Sequence, residues 1–137
     1  MSKYPKIWER ANNIVLTIAN ETYGMSTNFI EAAAWPDDIK SRGAEYWNNW
    51  HYIDRPINWQ GLGFDNPIPE NDNALYAINT TLQVLNHNDG YDGSTEKSMM
   101  LRLLLHIVGD IHQPLHSSTF FSEKYPNGDR GGNSYYV

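Results

Sequence analysis

The sequence predicts an all-α fold of four helices. Three observations carry that expectation: apolar residues recur at helical spacing in separate stretches, Ser, Asn and Asp stand where those stretches need caps, and one stretch, Met99 to Ile111, is apolar nearly all round. Ile7, Trp8, Ala11, Ile14, Val15, Ile18 and Ala19 mark a first helix from about Pro5 to Asn20, and Gly24 ends that region. Ser26 can cap a second helix whose apolar residues are Phe29, Ile30, Ala33 and Ala34. Pro36 interrupts it and starts a new turn carrying Asp37 and Lys40. Trp47 to Asp54 reads as irregular or extended, and Pro56 to Pro69, with three prolines and two glycines, as a long loop. Asn71 or Asp72 can cap a third helix with Ala74, Leu75, Ile78, Leu82 and Leu85 on one face. After a polar connection from Asn86 to Gly93, Ser94 caps the apolar fourth helix, which ends before Pro114. Ser117 to Val137 is polar and Gly-rich, without a strong period.

A length of 137 residues suffices for one domain with a core, and residues 1–137 read as a single domain. At 40% hydrophobic, with five Trp and nine Tyr, the composition is globular. A net charge of −6 argues against a passive nucleic-acid binder working through a basic face, but not against an enzyme that meets phosphate through bound cations. With no cysteine there is neither a disulfide nor a thiolate site, so a zinc site has only His, Asp and Glu to draw on. Met1-Ser-Lys-Tyr-Pro lacks the apolar core of a signal peptide, and no segment is long enough to cross a membrane.

The chemistry concentrates in Leu103-Leu-Leu-His106-Ile-Val-Gly-Asp110-Ile-His-Gln-Pro114-Leu-His116. His106 and Asp110, four residues apart, share one helix face. An imidazole and a carboxylate in an apolar helix are costly unless something pairs with them. A metal ion satisfies both. So does a buried His–Asp hydrogen bond, with His116 at the surface. Past Pro114, His116 is able to reach the same ion or a neighbouring one, whereas His112 lies on the opposite side, facing solvent or supporting a ligand. Alone, Asp37 would be a helix-start charge complementing the dipole, with Asp38 its solvated alternative. Alone, His51 would be a core residue among aromatics, Asp54 a turn residue before Arg55-Pro56, and His87 a solvated loop residue. Counted together, Asp37, His51, His106 and Asp110 form an N/O tetrad without sulfur. That set suits Zn²⁺, which lowers the pKa of its bound water toward neutrality.

Four ordered motifs carry a resemblance: Ala34-Trp-Pro-Asp37-x-x-Lys40, Trp50-His51-Tyr-Ile-Asp54, His106-x3-Asp110-Ile-His-Gln-Pro-Leu-His116 and Asp129-Arg-Gly-Gly-Asn133. Together they resemble the S-one/P-one family of zinc-dependent single-strand nucleases, of which bacterial zinc phospholipase C is a more distant relative. The resemblance implies a phospholipase C/P-one nuclease-like helical fold around three zinc ions. It also implies hydrolysis of single-stranded DNA and RNA by a metal-bound hydroxide, leaving 5′-phosphates. It assigns Asp37, His51, His106 and Asp110 to one zinc, makes Asp110 the bridge to a second, and has His116 begin the third ion's set. It gives Asp37 the catalytic role of orienting the nucleophile and Lys40 that of stabilising phosphate charge. Without a metal site, Lys40 would be an exposed i,i+3 partner of Asp37. Tyr52 matches a ring that stacks on a nucleobase, Asp54 a carboxylate that bonds the base edge, and Asn133 an asparagine near the phosphate or the metals. Nucleic acid is then a substrate rather than a stable partner, and the implied location is secreted or periplasmic.

The family pattern also has parts this sequence lacks. Family members open on a Trp with a free amino group, followed shortly by a His, and place a His and an Asp after the Gly-Gly-Asn segment. Here Trp8 is internal, no His precedes His51, and the sequence stops at Val137. The expectation is an internal fragment or truncated member, incomplete at both ends, with one complete zinc ligand set. Two other functions stay open on the sequence: a zinc phospholipase C-type lipid hydrolase, and an inactive zinc-binding remnant. Tyr52 and Asp54 favour the nuclease, and the missing terminal ligands favour the remnant.

Overall fold

A computed structural model describes residues 3–19, 27–63, 71–87 and 94–135 of the chain. These are mostly helical, as the sequence predicts: α1 (Pro5–Leu16), α2 (Trp35–Lys40), α3 (Ala74–Asn86) and α4 (Thr95–Asp110), with two short strands, β1 (Pro56–Ile57) and β2 (Thr119–Phe120). The chain divides into two compact units, Met1–Asn48 with Ile78–His106, and Asn49–Ala77 with Ile107–Val137.

In the first unit, α1 starts on Pro5, where a missing N–H costs nothing. It stops at Leu16, short of the expected end, as the Thr17 amide bonds back to Ile14 O at 3.2 Å and tightens the last turn. Asn20, Gly24 and Ser26 lie outside the described residues. Ile14, Val15 and Ile18 are buried, but Ile7 and Trp8, expected on the same face, are exposed. The last carbonyls of a helix lack intrahelical partners and carry partial negative charge. Here Val15 O accepts from Ser98 Oγ at 3.1 Å and from Arg102 Nη2 at 2.8 Å. Arg102 is fully buried, with its guanidinium 5.7 Å from the Trp35 ring. Burial pulls its pKa below the ordinary range, and the carbonyl and the ring offset that cost.

The reading of α4 as apolar nearly all round is therefore corrected. Its buried residues include Lys97, Ser98 and Arg102 beside Leu103 and Ile107, while Val108 is exposed. Its start is as expected: Ser94 Oγ accepts from Lys97 N at 3.1 Å, a cap that contributes about 1 kcal/mol. Of the second expected helix, the described part holds a 3-10 turn, Glu31–Ala34, leading into α2, whose first turn accommodates Pro36.

The cap of α3 is Asn73, not Asn71 or Asp72: its Oδ1 accepts from Tyr76 N at 3.0 Å. The buried face is also different. Ala74, Ala77 and Thr81 are buried, whereas Leu75 and Leu82 are exposed. Large apolar residues at helical spacing pointed to the wrong side because the close-packed side of this helix is the small one.

In the second unit, β1 and β2 pair in parallel, Pro56 opposite Thr119 and Ile57 opposite Phe120. The pair uses Thr119 N to Arg55 O and Phe121 N to Ile57 O, both at 2.9 Å, so Pro56 is never asked for a donor. The expected long loop thus begins with a strand and the expected periodless tail contains one; residues 64–70 lie outside the described set. Phe121 is buried behind the pair, and the exposed Trp59 ring meets Phe120 edge-on at 5.6 Å. Trp47 to Asp54, expected to be irregular, contains a 3-10 turn at Asn48–His51. Beyond it, Ile53 N bonds to His116 O at 2.8 Å, and Tyr52 O accepts from Ala74 N at 2.9 Å. These two bonds fix the segment that carries His51, Tyr52 and Asp54.

Candidate functional site

Each unit holds part of the expected donor set. In the first, His106 Nδ1 lies 2.7 Å from Ala33 O. A carbonyl oxygen only accepts, so Nδ1 carries the hydrogen and, in the neutral ring, Nε2 carries the lone pair. Nε2 lies 3.7 Å from Asp37 Oδ1. That contact is an ion pair when the ring is protonated, and two donor atoms for a cation when it is neutral. Asp37 is in the first turn of α2 with its side chain 64% exposed, and Lys40, exposed, closes the helix.

In the second unit, the buried His51 directs Nδ1 to Asp110 Oδ2 at 3.1 Å. His116 directs Nδ1 to the backbone oxygen of His51 at 2.9 Å and lies 4.0 Å from Asp110 Oδ1. His51 thus makes a His–Asp hydrogen bond with Asp110. All three histidines share one arrangement, Nδ1 against an oxygen, which makes Nε2 the ligand nitrogen when the ring is neutral. Metal-ligating imidazoles are oriented in just this manner, by a carboxylate or carbonyl behind them. With nitrogen and oxygen donors and no sulfur, these residues fit zinc. His112 is exposed and turned back to Val108 O, facing solvent as expected.

The second unit also contains a cavity of about 330 Å³ lined by Tyr52, Asp54, His116, Arg130, Gly131 and Asn133, among others. All three expected substrate contacts and one expected metal ligand therefore meet in one cavity. Tyr52 donates from its hydroxyl to Asn49 Oδ1 at 2.8 Å. Burial raises its pKa, the Asp54 and Asp72 charges add to this, and Arg130 opposes it. Burial likewise raises the pKa of Asp54, with Asp129 adding and Arg130 opposing. A carboxyl raised on folding favours the folded state at low pH and loses that advantage as the pH rises through its own value. A ligand N–H donated to the Asp54 carboxylate would offset the desolvation.

In Asp129-Arg-Gly-Gly-Asn133 the sequence points to a role for Asn133 alone, and the structure adds more. Asp129 is buried; its Oδ1 accepts from Phe120 N at 2.8 Å and Thr119 Oγ1 at 3.1 Å, pinning the segment to β2. Arg130, Gly131 and Gly132 follow with φ of 56°, 60° and 84°. The signal was the paired glycine itself, since successive left-handed residues need it.

A mostly helical chain with His and Asp donors that could hold a metal ion is the class these residues define. More specifically, the chain belongs to the S1/P1 nuclease family: the family model described as S1/P1 Nuclease matches residues 6–137. It is 29% identical over 110 residues to Endonuclease 4 of Arabidopsis thaliana, covering 74% of this chain and 34% of that protein. It is 29% identical over 113 residues to Nuclease S1 of Aspergillus oryzae, covering 79% of this chain and 36% of that protein. The chain spans about a third of the length of these curated relatives.

Proposed function

We propose that the chain contributes to a zinc-dependent phosphodiesterase centre that hydrolyses single-stranded DNA and RNA and leaves 5′-phosphates. The observation that carries this reading is the shared orientation of His51, His106 and His116 in a chain of a nuclease family. On this reading Asp37, His51, His106 and Asp110 hold one zinc, Asp110 also serves a second, and His116 serves a third. When bound, zinc supplies a nucleophile from water near neutral pH and a Lewis acid for the phosphoryl oxygens. Asp37 orients the attacking water, and Lys40 offsets charge that grows on the phosphate. Tyr52 stacks on a base and Asp54 takes a hydrogen bond from its edge. A base inside a duplex offers no free face, so the unpaired strand is preferred. Asn133 lies near the substrate phosphate or the metals. Residues 1–137 then form part of a single nuclease domain, acting outside the cytoplasm as a secreted or periplasmic protein. No described helix is long and apolar enough to cross a membrane.

Zinc per chain, measured on metal-replete protein, is expected to be at least one. Single-stranded DNA is expected to be cut much faster than duplex, with the activity lost in chelator and regained on zinc addition. A chain that takes up no zinc, or cleavage indifferent to chelator, would sink this reading.

A further inference from the structure

Arg130 is a non-glycine residue at φ 56°. For an L side chain the left-handed conformation costs about 1–2 kcal/mol. The backbone around it leaves no escape. Its N–H donates to Thr119 Oγ1 at 3.1 Å, and its carbonyl accepts from Asn133 Nδ2 at 2.8 Å and Asn133 N at 3.2 Å. The preceding Asp129 is anchored to β2. Every one of these bonds uses Arg130 main chain, so a glycine here would keep them all without the strain. The arginine side chain is therefore not what the loop needs. It is exposed, it lines the cavity with Tyr52 and Asp54, and among the described residues nothing hydrogen-bonds or ion-pairs with its guanidinium. Strain held in place by surrounding structure is a mark of functional positions. A planar, permanently charged fork is suited above all to carboxylate or phosphate. The cavity already has carboxylates nearby in Asp54 and Asp129, which leaves phosphate as the better guest.

We propose, resting on the nucleic-acid reading above, that Arg130 is a substrate-binding residue. Its guanidinium grips the phosphate of a nucleotide whose base lies against Tyr52 and Asp54. The same fork would take the phosphodiester of a lipid head group, and the test separates the two sources. Binding of thymidine 5′-monophosphate, thymidine and glycerophosphocholine to the metal-replete chain is compared with binding to Arg130→Gly and Arg130→Lys by calorimetry, alongside Tm.

Arg130→Gly is expected to weaken the monophosphate about tenfold, to leave thymidine unchanged, and to hold or raise Tm; Arg130→Lys restores part of the loss. Unchanged monophosphate affinity in Arg130→Gly overturns the proposal. So does a fall in Tm with both thymidine ligands weakened alike, which would make the side chain structural, or wild-type protein that binds none of the three. If glycerophosphocholine alone binds, and does so through Arg130, the phosphate grip stands and the nucleic-acid reading fails.

Discussion

Asp110→Asn is expected to cut zinc retention and cleavage by about 10²-fold or more while leaving the Tm of the metal-free chain unchanged or slightly raised. Asp110 is the last residue of α4, whose final turn contains no basic residue. A carboxylate at the negative end of a helix dipole opposes the fold by about 0.3–1 kcal/mol. Asparagine removes that repulsion, and its side-chain oxygen still accepts the Nδ1–H of His51, now at 3.1 Å from Asp110 Oδ2. What it loses is the negative charge that polarises His51 and would neutralise a divalent ion. The fold is thus spared and the metal chemistry is not. Metal content by mass spectrometry, Tm in chelator and a single-strand cleavage assay are the three readouts. A variant that binds zinc and cuts like the wild type would remove Asp110 from the metal centre.

Gly131→Ala should destabilise the chain by about 2–5 kcal/mol, a drop of roughly 10 °C in Tm. Two costs add. At φ 60° a Cβ meets the left-handed penalty, and that Cβ would lie 2.3 Å from the backbone oxygen of Leu115. Backbone cannot rotate away as a side chain can, so the loop must leave the 3-10 turn at Pro114–His116 that carries His116. Gly63→Ala is the control: among the described residues nothing lies within 4 Å of its Cβ and its φ is unexceptional, so Tm should hold or rise slightly. Equal Tm values for the two variants would show that the approach at Leu115 relaxes freely.

The parts of this molecule that were legible in sequence are those where local chemistry decides the outcome. Ser94 announced the start of α4, because a cap is a bond between near neighbours. His106, Asp110 and His116 stood out because ionisable groups in an apolar run are costly. What escaped depends on distant partners. Arg102 passes unremarked in a run that is otherwise apolar, because its partner, Val15 O, lies on another helix. Leu75 and Leu82 mimic a core face that Ala77 and Thr81 supply instead. Two-residue strands carry no periodicity, and Pro56 disguises one of them. Asp129 has no role legible in its motif, because what it holds is Phe120 N, nine residues away.

Asp129 and Thr119 also bear on time rather than geometry. The amides of Phe120, Asp129, Arg130 and Ser134 are all engaged, on Asp129 Oδ1, Phe120 O, Thr119 Oγ1 and Asp129 O respectively. Two of the four acceptors belong to side chains that are themselves buried. Such amides are expected to exchange with deuterium when the loop opens, so hydrogen exchange should find this stretch of almost no regular structure slow, like a core element. The cavity these residues line thereby carries its own clock, one set by the loop alone.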